Sequence, residues 1–204
     1  MGSRPTLRMA LVAVGMTALL AGLWAGLLRL GWPWPILRST LPVNHGPLMV
    51  SGFLGTLIGL ERAVALGGLW VYLAPLSTGL GVLALIAGFP MALGPSFMTI
   101  GSLVFGASVS AIIRRQPSLC TATMGLGALA WLVGNALGLI GWPIYRVVMW
   151  WAGFLVLTIA GERLELSRVL LPTRGSQIAF LCAVGVMWCG LVVALVAFDL
   201  GVRL

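Results

Sequence analysis

Residues 44–66 read NHGPLMVSGFLGTLIGLERAVAL. The stretch is apolar through its middle, starts beside a histidine at position 45 and carries one Glu-Arg pair, Glu61-Arg62, in its last third. A bilayer-spanning helix needs about 20 mostly apolar residues, so this segment predicts one crossing. Six further segments of the same kind surround it: Met9–Leu30, Leu69–Gly88, Met91–Ile113, Ala122–Gly141, Tyr145–Ala160 with a polar extension to Arg168, and Gln177–Phe198. They are separated by turn-forming groups such as Gly67-Gly68, Phe89-Pro90, Gln116-Pro117-Ser118 and Trp142-Pro143. The expected fold is all-α, a polytopic membrane bundle of about seven helices in a single transmembrane domain, residues 1–204. Merging the third and fourth segments into a re-entrant element would give six.

Composition agrees. The chain has 204 residues, 60% hydrophobic and 8% charged, against roughly 25% charged in a soluble domain. Three cysteines, Cys120, Cys182 and Cys189, do not make a disulfide framework. The net charge of +8 comes from twelve arginines, with no lysine, set against Glu61, Glu162, Glu165 and Asp199. The arginines are dispersed among apolar runs rather than striped along one face, which excludes a nucleic-acid surface.

The arginines also orient the chain. Seven crossings place Arg4, Arg8, Arg62, Arg114, Arg115, Arg163, Arg168 and Arg174 on one side and Arg29, Arg38, Arg146 and Arg203 on the other. The richer side is expected to be cytoplasmic. That puts the N-terminus inside and the C-terminus outside a bacterial inner membrane. Trp32, Trp34, Trp142, Trp150 and Trp151 gather towards the outer side, as an aromatic belt would.

The chain repeats itself. Gly52-Phe53-Leu54, Ile58 and Glu61-Arg62 recur as Gly153-Phe154-Leu155, Ile159 and Glu162-Arg163, 101 residues later at every position. Gly31-Trp32-Pro33 recurs as Gly141-Trp142-Pro143, 110 residues later. Helices 1 and 2 therefore match helices 5 and 6, giving repeat A over about 9–113 and repeat B over about 122–198. Copies an even number of crossings apart share an orientation, which is the parallel-repeat class.

Adjacent residues on a helix point about 100° apart, so each member of the two Glu-Arg pairs is expected to seek a partner on another helix. A reciprocal cluster follows: Glu61 with Arg163 and Arg62 with Glu162. Its readings are a clamp between two hairpins or a proton or anion site in the inner leaflet. Gly52, Gly55 and Gly59 on helix 2 and Gly153 and Gly161 on helix 6 predict close backbone approach. Asn135 predicts a polar contact between helices, and Cys182 and Cys189 read as packing residues. His45, with Met49 one turn later, offers ligands that haem iron or copper accept. At 1.5 Å per residue His45 and Glu61 lie about 24 Å apart, too far to form one site.

No lysine is present for a retinal Schiff base, and no His-Glu-x-x-His, phosphate-loop lysine or clustered His/Cys/Asp set occurs. The sequence thus predicts no catalytic chemistry of its own. The segment Asn44–Thr56 resembles bacterial membrane proteins of the NnrS-like group, which in outline are similar to the membrane subunit of haem–copper oxidases. The resemblance implies an accessory role linked to haem, copper or respiration, with His45 as the position that carries over. Those proteins have more crossings and several histidines, so further ligands would come from a partner. The other expectations are a structural or assembly subunit of a larger membrane complex, and a small solute or ion transporter with its path between the repeats. Partners are then the lipid bilayer and other membrane-protein subunits, with no nucleic acid.

Overall fold

The computed structural model describes residues 5–90, 92–166 and 173–201, with side chains to residue 196. Seven helices follow in order: α1 Pro5–Arg29, α2 His45–Leu66, α3 Trp70–Ala87, α4 Leu93–Arg115, α5 Leu119–Leu139, α6 Ile144–Leu166 and α7 Arg174–Gly201. All seven are long and apolar enough to cross a membrane, and no strand occurs among the described residues. Arg4, Met91, Arg168 and Arg203, which entered the sequence-based spans and charge count, lie outside the described residues.

The chain divides into two compact units, Met1–Ser108 with Gly138–Ile140 and Val109–Leu137 with Gly141–Leu204. In the first unit α1 buries Leu11, Gly15, Ala18, Gly22 and Ala25. Their spacing alternates four and three, the 3.5-residue period of a helix-packing seam. Small side chains on that seam let α2 come close: a Cβ on Gly15 would lie 3.3 Å from Leu57, and one on Gly22 would lie 2.7 Å from the Met49 sulfur. The α3 and α4 helices meet through glycine as well. A Cβ on Gly81 would sit 2.9 Å from the Gly94 carbonyl, and one on Gly101 would sit 3.0 Å from the Ala74 carbonyl.

Helix α2 is not uniform. His45–Pro47 starts as α-helix, Leu48–Gly55 is π-helical, and Thr56–Leu66 returns to α. Its buried positions include Ser51, Gly55, Gly59 and Ala63, and beside them Leu48, Gly52, Thr56 and Leu60. Both rows repeat every four residues. On a 3.6-residue helix such rows drift by about 40° per step; the wider i→i+5 turn offsets that drift and keeps both rows inward. The segment stays helical, but its estimated length of about 24 Å from His45 to Glu61 shortens, because the wider π turn rises less per residue.

The second unit packs α5 on α6 with aromatic residues. Trp131 stacks on Phe154 at 4.8 Å with an interplanar angle of 11°. The Trp151 Nε1–H donates to Asn135 Oδ1 at 3.0 Å, both buried. Glycine opens the space for the Trp151 ring, since a Cβ on Gly134 would lie 2.8 Å from it, and glycine also brings the two backbones close, since a Cβ on Gly161 would lie 3.0 Å from the Cys120 carbonyl. Trp150 and Trp151 are each 4% exposed. The expected aromatic belt is thus corrected at these two positions, where the rings fill the core of the unit; Trp150 packs edge-on against Trp188 of α7 at 5.7 Å.

Helix α7 differs from the others. Only 6% of its membrane-length window is buried, against 28–56% for the other six. Cys182 and Cys189 are exposed, so packing within the chain does not hold them, contrary to expectation. Cys120, on α5, is buried.

Candidate functional site

His45 is the first residue of α2, and it stands there because α1 has no side chain to exclude it. A Cβ on Gly26 would lie 2.9 Å from the imidazole Cε1, and the ring occupies that gap. Its Nδ1 lies 2.7 Å from the Gly22 carbonyl oxygen. A carbonyl oxygen only accepts, so Nδ1 carries the hydrogen. In the neutral ring Nε2 then holds the free lone pair, and it has no hydrogen-bond partner among the described residues. A metal-binding histidine is oriented in the same way, its second nitrogen donating to a carbonyl or carboxylate.

The ring lines a groove of about 470 Å³ along α1, with Leu23, Gly26, Leu27, Leu30 and Arg29. The lining is aliphatic apart from the imidazole and the arginine. Met49 takes no part in it. Its sulfur packs over Gly22 in the α1–α2 seam, and it does not join the groove-lining residues. Among the described residues no three His, Cys, Asp or Glu side chains come together as a metal-binding group.

The Glu-Arg pairs stand differently in the two units. Arg62 approaches Glu61 at 3.9 Å, with the arginine side chain 12% exposed and the carboxylate 61% exposed. Long side chains reach around the helix, so adjacent residues touch although their Cβ atoms diverge. In the second unit the order reverses: Glu162 is half-buried and Arg163 is exposed. The expected reciprocal cluster would need residues of both units; within the first unit Arg62 lies against Glu61, and Arg62 and Glu162 are each engaged in a further interaction.

The helix-packing glycines divide by neighbour. A Cβ on Gly52 would meet Val82 at 2.8 Å and Ala18 at 3.1 Å, one on Gly59 would meet Pro75 at 3.5 Å, and Gly55 is buried at the end of the π turn. A Cβ on Gly153 would meet Leu191 at 2.8 Å, and one on Gly161 would meet Met124 at 2.7 Å.

Sequence reasoning missed the partner of His45. Gly22 contributes a carbonyl, and Gly26 contributes the missing side chain. The legible signal was the 3.5-residue spacing of small residues along α1. It also missed the hydroxyl pair Thr56–Thr78, 3.0 Å apart and buried between α2 and α3. A family model described as a domain of unknown function (DUF8744) matches residues 8–204. No curated protein and no solved structure gives a match.

Proposed function

This chain belongs to the DUF8744 family, and we propose that it is a multi-pass inner-membrane accessory protein, linked to respiration, that presents one imidazole to a haem iron. The observation that carries this reading is the anchored Nδ1 of His45, 2.7 Å from the Gly22 carbonyl, which leaves Nε2 as the only ligand atom in an aliphatic groove. The residues fit haem better than copper. Copper sites draw on several nitrogen and sulfur ligands, and here the Met49 sulfur is committed to the seam with α1. Haem iron accepts a single protein ligand. His45 would hold the iron and Arg29, on the same groove, would meet a carboxylate of the porphyrin. The group would supply redox or gas-binding chemistry. The chain's own part is to orient the ring through Gly22 and to keep water from it with Leu23, Leu27 and Leu30.

The test is a titration of the purified chain with ferric protoporphyrin. Stoichiometric binding with a shifted visible spectrum, lost in His45→Ala while the thermal midpoint moves little, is the expected result. Equal spectra for both proteins overturn it.

The reading includes the topology, with the N-terminus in the cytoplasm and the two hairpins as parallel copies. Matching turns support the copies: Gly31 and Gly141 have φ of +84° and +83°. Trp32 and Trp142 each donate their backbone N–H to the carbonyl five residues back, Leu27 and Leu137, at 3.2 and 3.0 Å. A second reading, an assembly subunit without a cofactor, is favoured by the exposure of α7. Co-purification with a larger complex that is lost when α7 is replaced by an unrelated apolar helix would support it.

A further inference from the structure

We infer that a second groove on the first unit is a site for an anionic phospholipid, with Arg38 on the phosphate and one acyl chain along α1. The groove, about 430 Å³, is lined by Thr17, Leu20, Ala21 and Trp24 of α1 together with Leu41 and Arg38. At 100° per residue its α1 positions centre about 120° around the helix from those of the His45 groove, so the two sites are separate and the inference does not depend on the haem reading. From Thr17 to Trp24 the groove follows α1 for about 10 Å, a third of the roughly 30 Å hydrocarbon core.

Polar chemistry is confined to one end. The Thr17 hydroxyl donates to the Ala13 carbonyl at 2.9 Å and offers its hydrogen to nothing else. The Arg38 guanidinium has no hydrogen-bond or ion-pair partner among the described residues. The chain holds four acidic residues against twelve arginines, and among the described residues none is paired with Arg38, so the guanidinium is open to an external anion. The guanidinium is placed by the left-handed end of α3: Gly88, at φ +74°, has no Cβ, and a Cβ there would collide with it. Trp24 lines the groove with it; the Trp24 ring centroid lies 4.5 Å from that of Trp34, and Trp32 lies 6.0 Å from Trp34. Trp32 and Trp34 are exposed. Indoles of this kind sit at headgroup depth, which puts Arg38 where phosphates lie. Guanidinium groups bind phosphate through paired N–H donors. An aliphatic trough ending in a lone guanidinium beside interfacial tryptophans therefore matches a lipid with a net negative headgroup. A free phosphate would make no use of the trough, and an apolar partner helix would make no use of the arginine.

The experiment is native mass spectrometry of the full chain in mild detergent with phosphatidylglycerol or phosphatidylcholine, and with inorganic phosphate as competitor. The expected result is one phosphatidylglycerol adduct held at least tenfold more tightly than phosphatidylcholine. Arg38→Gln should remove that preference and Arg38→Lys should restore most of it. Ala21→Trp, which fills the trough and keeps the charge, should lose the adduct. Equal retention of the two lipids, or a preference that survives Arg38→Gln, overturns the inference. Displacement by millimolar phosphate, or full binding by folded Ala21→Trp, shows a headgroup contact without a chain site and also overturns it.

Discussion

The α1–α2 hairpin and the α5–α6 hairpin close their first helix in the same way and fill their interiors differently. Gly31 and Gly141 both take the left-handed conformation, and both following tryptophans donate to a carbonyl five residues back. Beyond that point the pairs diverge. The first sets a glycine-rich face of α1 against a π-helical segment and admits an imidazole. The second is regular α-helix, closed by Trp131 on Phe154 and by Trp151 on Asn135. A helix end is set by a few backbone bonds and one glycine, so it survives any change of interior. The interior depends on side chains from two or three helices at once and is free to change around a fixed turn.

Three matched pairs of substitutions would break or sharpen this comparison. The largest effect is expected at the matched pair Gly52 and Gly153. A leucine at 52 would press on Val82 and on Ala18, two helices with no flexible end to yield; overpacking of this kind costs about 3 kcal/mol. A leucine at 153 would meet chiefly the flexible end of Leu191 on the little-buried α7, and should cost about 1 kcal/mol. Denaturation in mixed detergent micelles reads both, and equal losses would remove the proposed difference between the interiors.

Next come Gly31→Ala and Gly141→Ala. Both glycines have open space where a Cβ would stand, so the cost is the left-handed backbone alone, about 1–2 kcal/mol. The two losses should agree within error of the same titration. Clearly unequal losses would end the likeness of the turns.

The smallest effect concerns the acidic members of the two pairs. Glu61 is 61% exposed and its contact with Arg62 is long, so Glu61→Gln should shift stability by only a few tenths of a kcal/mol, as exposed pairs do. Glu162 is half-buried and engaged, and Glu162→Gln should cost more, about 1 kcal/mol. The reverse order would show that Glu61 is the working member.

Helix number and most ends were legible because length, apolarity and Gly/Pro punctuation are local properties. The segment around His45 was half legible. The residue types stood out, but its partner is the backbone of Gly22, and a carbonyl has no signature in sequence. The π turn went unseen because an ordinary helical period was assumed, although the four-residue spacing from Ser51 to Ala63 was in view. Trp150 and Trp151 were misplaced for a related reason: tryptophans near a helix end read as interfacial unless the glycines that receive them, such as Gly134, are paired with them in advance. The exposure of Cys182 and Cys189 depends on where α7 docks, which no periodicity in that uniformly apolar helix records.

The π-helical run has a consequence for insertion and deletion. Relative to an α-helix, an i→i+5 ladder stores surplus residues, so Leu48–Gly55 is a stretch of slack in α2. Removing one residue there tightens the ladder towards α, and the stored surplus absorbs the loss, with both flanking halves still able to keep their facing. The same deletion within α6 has no slack to draw on. It turns everything on one side of the cut by about 100° and separates the Trp151 position from Asn135 or the Phe154 position from Trp131. Length variation along this chain should therefore be tolerated in the middle of α2, a place where a membrane-length helix ordinarily permits none.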